Sequence, residues 1–381
     1  RGERRIAVIM NDLGGMGHDF RQIDDEEGFQ GEEAWVGLES GCTGYSLRGQ
    51  LIEAVSRLAR ERRFDTILIE CSGRTDPLLV TELFEEEDAE GRPLSSLVRL
   101  DYLVTVVDAA RFREDFESGD NLQERGTGIG IDDQRTVSEL LADQVECSTT
   151  LVLNKTDLVT ATARHRLEAF LRSLNPDAAL LPTVHGEISI EQLGRATGVE
   201  SDDRPLSPGW MQLLEGRVSP VEGQRDIQSF VYRARRPFHP ARFWTLMQDV
   251  WPGVLRSKGY FWIASQPSTC YMWSQAGGAC LYERLGRWWV AISDRRWPQQ
   301  KEALLELEKV WDLEFGDRRI ELAFIGEELD HKGMTKRLNA CLLTRAELAL
   351  EEEIWRAFQD PFKKPSWEKR RDRTISGESF R

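Results

Sequence analysis

The chain has 381 residues, more than one ordinary hydrophobic core organises, so two or three domains are expected. Hydrophobic residues make up 40% and charged residues 30%, which excludes an intrinsically disordered chain. Lys+Arg 50 against Asp+Glu 65 gives a formal net charge of −15, unsuited to a general nucleic-acid binder. No apolar run reaches the ~18 residues of a membrane span, so neither nucleic acid nor a membrane is expected as a partner. Six scattered cysteines contain no CxxC pair, and reduced thiols in a cytoplasmic protein are the simplest reading. There is no initiator Met and an apolar strand begins almost at once, so a fragment or processed chain is expected.

Apolar runs at 6–10, 66–69, 103–107 and 151–153 are short and rich in Val, Ile and Leu, as in parallel strands buried on both faces. Between them, 47–62 places Leu47, Leu51, Val55 and Leu58 on one helical face, and 133–145 and 161–174 also read as helices. Asn175-Pro176 stops the last of these. This alternation predicts a doubly wound α/β domain over 1–197. A Gly-, Pro- and Ser-rich stretch at 198–225 reads as a linker. Eleven of the twelve tryptophans lie after residue 200. Strands are expected at 227–233, 259–264, 270–274, 279–284 and 288–292, and helices at 240–250, 299–312, 334–340 and 345–358. These predict a smaller α+β domain over 226–362 with an antiparallel sheet. Residues 363–381 carry seven Lys/Arg and read as a disordered basic tail.

The sharpest local signal is Asn154-Lys155-Thr156-Asp157 after the strand Leu151-Val-Leu153. NKxD after a buried strand is the guanine-recognition motif of P-loop GTPases. One Asp carboxylate can accept from both the N1–H and the N2–H of guanine, and adenine offers no such donor pair. A second signal is Ile67-Leu-Ile-Glu-Cys-Ser-Gly73, which sets Glu70 at the end of a buried strand, where Mg²⁺ or its waters sit in P-loop enzymes. Gly73 would let a backbone N–H approach a γ-phosphate. His239, between Pro237 and Pro240, reads as a helix-entry residue. Trp262, Trp273, Trp288 and Trp289 read as core rather than as a ligand cage.

Together with Val8-Ile-Met-Asn-Asp12, Gly41-Cys42 and Val106-Val-Asp-Ala109, these segments resemble the CobW-type family of P-loop GTPases. In the second half, Arg236-Pro-Phe-His239, Arg256-Ser-Lys-Gly259, Trp288-Trp289 and Gly316-Asp-Arg-Arg319 resemble the CobW C-terminal domain, most of all that of zinc-responsive members. The resemblance implies a P-loop GTPase domain and a GTP-hydrolysing metallochaperone that serves metal homeostasis or metalloenzyme maturation. Its implied cofactors are GTP and Mg²⁺, and its implied partners are a guanine nucleotide and a client metalloprotein. Asn154 and Asp157 would read guanine, Lys155 would pack on it, and Gly73 would sense the γ-phosphate. Glu70 and Asp12 would be the catalytic pair that organises Mg²⁺ and the attacking water.

Two departures stand beside the matches. No GxxxxGK[ST] phosphate loop occurs in the 381 residues, and Gly14-Gly-Met-Gly17 lacks its Lys. In the family the loop precedes the strand at 5–10, so roughly 25–40 upstream residues are expected, and GTPase activity depends on their presence in the native protein. The family's Cys-x-Cys-Cys metal motif is here Cys42-Thr-Gly-Tyr45. One thiolate, even with His18 or Asp19 nearby, falls short of the about four ligands of a tight Zn²⁺ site. A non-catalytic adaptor that keeps the fold without hydrolysis is the alternative function. The expected outcome for zinc, or another transition metal, is loss to a chelator of moderate strength in a chromophoric competition titration. Stoichiometric zinc that survives the chelator and is lost in Cys42→Ala would contradict this.

Overall fold

The parallel strands expected in the first half form as two three-stranded sheets. The computed structural model describes residues 5–10, 34–37, 44–73, 75–87, 91–125, 135–189, 192–193, 207–218, 227–293, 297 and 301–363. The described residues fall into two compact units, the first drawn from Arg1–Leu103 and Leu122–Asp133, the second from Val104–Asn121, Gln134–Gly198 and Asp203–Arg381.

In the first unit β1 (Ile6–Met10) lies between β2 (Ala34–Gly37) and β3 (Thr66–Glu70), parallel to both. Helix α1 (Gly44–Glu61) covers the sheet. Its Ala54, Val55 and Leu58 pack with Ala7 and Ile9 of β1, as the helical spacing of Val55 and Leu58 predicts. A short helix α2 (Pro77–Leu83) follows β3.

The second unit opens with the parallel sheet β4 (Val104–Asp108), β5 (Thr150–Asn154) and β6 (Ala179–Pro182), with β5 in the middle. Helices α3 (Phe112–Glu117), α4 (Val137–Glu146) and α5 (Ala161–Leu174) belong to the same half. Thr136 and Glu139 form a reciprocal capping box at the start of α4. Helix α5 occupies the residues expected for it and buries Leu167, Phe170, Leu171 and Leu174, the i, i+3, i+4, i+7 face. Asn175 ends it as an internal cross-brace: its amide donates to the carbonyls of Val145, Glu146 and Ser148.

The segment expected to be a linker contains helix α6 (Gly209–Leu214), whose Trp210 and Leu213 are buried. The antiparallel sheet then runs β10-β9-β8-β11-β7, with β7 (Gln228–Ala234), β8 (Val254–Phe261), β9 (Thr269–Ala276), β10 (Ala279–Arg287) and β11 (Ile320–Gly326). Helices α7 (Pro240–Met247) and α9 (His331–Cys341) pack together, and Phe243, Met247, Met334 and Leu338 join the core of Trp262, Trp273 and Phe324. Helix α8 (Lys301–Val310) precedes β11, and α10 (Arg345–Leu348) and α11 (Glu352–Arg356) replace the single helix expected over 345–358. His239 is the helix-entry residue: it N-caps α7 and stacks on Phe358. Residues 288–292 are not a strand. Both carboxylate oxygens of Asp317 accept the backbone N–H groups of Trp289 and Val290, which bends the chain into a 3₁₀ turn. Among the described residues no helix is long and apolar enough to cross a membrane.

Buried charge fastens the antiparallel sheet to the β4-β5-β6 half. Arg256 on β8 is 1% exposed and grips Glu146 of α4 (3% exposed) with Nε–Oε1 at 2.7 Å and Nη2–Oε2 at 3.1 Å. Asp143 and Lys258 extend the network. Beside it the β9–β10 turn is left-handed at Gly277 (φ +51°), where a Cβ would meet the Phe116 carbonyl oxygen at 2.2 Å. Only glycine fits there. Removing one partner of a buried pair leaves the other charge uncompensated, at about 3–5 kcal/mol. Glu146→Gln is therefore expected to lower unfolding stability by about 3 kcal/mol in urea titrations. An unchanged midpoint would contradict this.

Candidate functional site

The Asn154–Asp157 loop begins where β5 leaves its sheet. Asn154 is the last residue of β5, Lys155 turns into the left-handed region (φ 60°, ψ 35°), and Thr156–Leu158 form a 3₁₀ turn ahead of α5. A left-handed lysine is disfavoured by its Cβ, so the surroundings must hold it. The Asn154 side-chain oxygen accepts the N–H of Lys155 at 2.8 Å and that of Gly186 at 3.0 Å. One amide thus fixes its own loop and ties it to the loop after β6.

That second loop was not anticipated from sequence. The Thr183 carbonyl accepts the Thr156 hydroxyl at 2.9 Å and the Thr156 N–H at 3.3 Å. The Thr183 hydroxyl donates to the Glu187 carbonyl at 2.8 Å, closing a turn in which His185 (φ 55°) and Gly186 (φ 71°) are both left-handed. A His-Gly pair just past a short apolar strand was the available signal.

Asp108 completes the arrangement. It ends β4, in register with Asn154 on β5. Its Oδ1 accepts the N–H of Ala110 at 2.9 Å and of Arg111 at 3.2 Å, and its Oδ2 accepts Lys155 Nζ at 2.7 Å. Desolvation works against the charged carboxylate, but the Lys155 ammonium and the two backbone N–H groups outweigh it and hold the carboxyl below its ordinary range. Helix α3 starts four residues on, and its Arg113 makes a two-pronged contact with Glu327, just past β11, at 2.8 and 3.0 Å. Asp157 is exposed, and among the described residues none hydrogen-bonds to its carboxylate. A fixed loop that presents a free carboxylate suits a ligand with two adjacent N–H donors.

Glu70 and Gly73 belong to the first unit. Glu70 is the exposed last residue of β3, opposite Met10 of β1. Past it, Ser72 and Thr75 close a turn through a backbone bond of 2.9 Å and a hydroxyl–hydroxyl contact of 3.2 Å. Gly73 in that turn is exposed, with no heavy atom within 4 Å of where a Cβ would sit. Asp12, Cys42, His18 and Asp19 lie outside the described residues. Among the described residues no group of three or more His, Cys, Asp or Glu could hold a metal ion.

Residues 1–182 match the CobW/HypB/UreG nucleotide-binding domain, and residues 227–342 match the cobalamin synthesis protein cobW C-terminal domain. The chain belongs to the CobW/HypB/UreG family and carries the CobW C-terminal domain. It is 35% identical over 370 residues to the zinc-regulated GTPase metalloprotein activator 1 of Dictyostelium discoideum, covering 94% of this chain and 78% of that one. A zinc chaperone of Mycobacterium tuberculosis is 26% identical, covering 84% of this chain and 77% of its own. Zinc chaperone CobW of Sinorhizobium is 29% identical, covering 77% and 82% respectively. The solved structure of Zn(II)-bound YjiA GTPase from E. coli is 17% identical over 90% of this chain and 100% of that one, with a TM-score of 0.35, too low to carry its geometry across.

A carboxyl whose folded value is depressed stabilises the fold above its unfolded value, and that contribution is lost as pH falls through the folded value. The Asp108–Lys155 link is therefore expected to persist below the ordinary carboxyl value of 3.8. A carboxyl ¹³C NMR titration of Asp108 should give a midpoint below 3.8, moving up in Lys155→Met. A midpoint at or above the ordinary value in the wild type would contradict this.

Proposed function

We propose that this protein is a GTP-binding, GTP-hydrolysing metallochaperone whose base site is the Asn154–Asp157 loop. The observation that supports this most directly is the unengaged Asp157 carboxylate on a loop braced by Asn154, Asp108 and Thr183. Asp157 would accept the two N–H donors of guanine's N1/N2 edge, and the Lys155 stem would lie on the purine. The Asn154 oxygen already serves Lys155 and Gly186, so its part in reading guanine is to hold the two loops together.

At the phosphate end, Gly73 would meet the γ-phosphate through its N–H, and Glu70, with Asp12, would orient the attacking water and the water shell of Mg²⁺. Bound Mg²⁺ would neutralise charge that develops on the phosphate oxygens. The names of the relatives favour zinc as the metal served. Cys42-Thr-Gly-Tyr45 favours transient handling over tight storage, with a client metalloprotein as recipient. The same eroded motif motivates a second reading, a non-catalytic adaptor, which GTP turnover by the full-length protein would exclude.

Exchanging the Asp157 acceptor for a mixed donor–acceptor amide removes a charged two-point contact worth about 1.5–3 kcal/mol. Asp157→Asn in the full-length protein is expected to raise the GDP dissociation constant about tenfold or more, with ADP affinity unchanged. An unaltered GDP-over-ADP preference would mean that the motif is only a helix entry.

A further inference from the structure

Lys155 is half-exposed on a long, flexible stem, and such a side chain ordinarily samples many rotamers. Here both of its ends are held. Its backbone is fixed in the left-handed region by the Asn154 side chain, and its ammonium by Asp108 Oδ2 at 2.7 Å. Asp108 is itself immobilised, because Oδ1 accepts two backbone N–H groups and only Oδ2 is turned to the lysine. The two carboxylate oxygens therefore divide their duties. One shapes the turn after β4 and the other orients a side chain 47 residues away.

We propose that Asp108 is a positioning residue of the base site, holding the Lys155 ammonium so that the lysine stem is pre-ordered against a purine. The proposal rests on the reading of Asn154–Asp157 as a guanine site. A partly exposed ion pair contributes little to stability, because solvent screens it and ordering it costs side-chain entropy. Its consequence belongs to binding. A stem already in place loses less entropy when a base settles on it.

Asp108→Asn separates the two duties. The amide oxygen can still accept from Ala110 and Arg111, while the amide nitrogen faces the ammonium without attracting it. The test uses the full-length protein, with GDP and ADP titrated by ligand-detected NMR and thermal unfolding recorded in parallel. Asp108→Asn is expected to weaken GDP about fivefold and shift Tm by no more than about 2 °C. Lys155→Ala should weaken GDP as much, and the double variant no further. Weaker GDP binding in Lys155→Ala with no change in Asp108→Asn would overturn the proposal while leaving the guanine site standing. Equal loss of GDP and ADP with a large drop in Tm would also overturn it, as a purely structural role. Equal wild-type affinities for GDP and ADP would overturn both the proposal and the reading beneath it.

Discussion

Everything at the proposed base site depends on how β5 is allowed to end. The strand is buried from Thr150 to Leu153, and its neighbours β4 and β6 satisfy its backbone. Past Asn154 that ladder stops, and the chain must turn left-handed at Lys155, which no residue with a Cβ does freely. The Asn154 amide, the Thr183 carbonyl and the Asp108 carboxylate supply the missing partners from three different strand ends. The turn is over-determined, and the cost of the left-handed lysine is met by hydrogen bonds that also set the direction of the loop. Asp157 is thereby carried on a rigid support and left with its acceptors free, the condition a recognition carboxylate needs.

The same strand ends reach the second domain. Asp108 leads directly into α3, whose Arg113 holds Glu327 at the exit of β11, and α4 meets β8 through Glu146 and Arg256. The first contact is partly exposed and the second is sealed from water, so the two differ in kind. Arg256–Glu146 makes separation of the antiparallel sheet from α4 expensive, because each charge would otherwise be stranded. Arg113–Glu327 can break and re-form at little cost. Both contacts flank a buried apolar cluster in which Phe112, Phe116 and Leu153 pack with Leu255, Ala276 and Ile325 of the antiparallel sheet.

What could be read from the sequence was what is local. The Val/Ile/Leu runs of β1, β3, β4 and β5 and the apolar face of α5 declared themselves because each pattern is complete within its own segment. Asn154, Lys155 and Asp157 fall within four consecutive residues of one loop, and their chemistry is legible without a fold. Strand β11, which lies between β8 and β7 in its sheet, was missed: past Glu321, Leu322 to Gly326 runs apolar without alternation, as a strand covered on both faces does. Residues 288–292 look like a strand, and only the distant Asp317 carboxylate makes them a turn. The partnership of Asp108 with Lys155 and the tie from Asn154 to Gly186 span 47 and 32 residues, and no periodicity records them. Such contacts follow from topology, which brings the ends of β4, β5 and β6 side by side.

The central claim is that Asp157 reads two adjacent donors on guanine. Inosine diphosphate keeps the N1–H and lacks the N2 amino group, so it removes one donor and leaves the rest of the ligand unchanged. Affinities of the full-length protein for GDP, inosine diphosphate and ADP, measured side by side, test the claim most directly. The account predicts that GDP binds most tightly, inosine diphosphate less tightly and ADP least. Equal affinities for GDP and inosine diphosphate would contradict it.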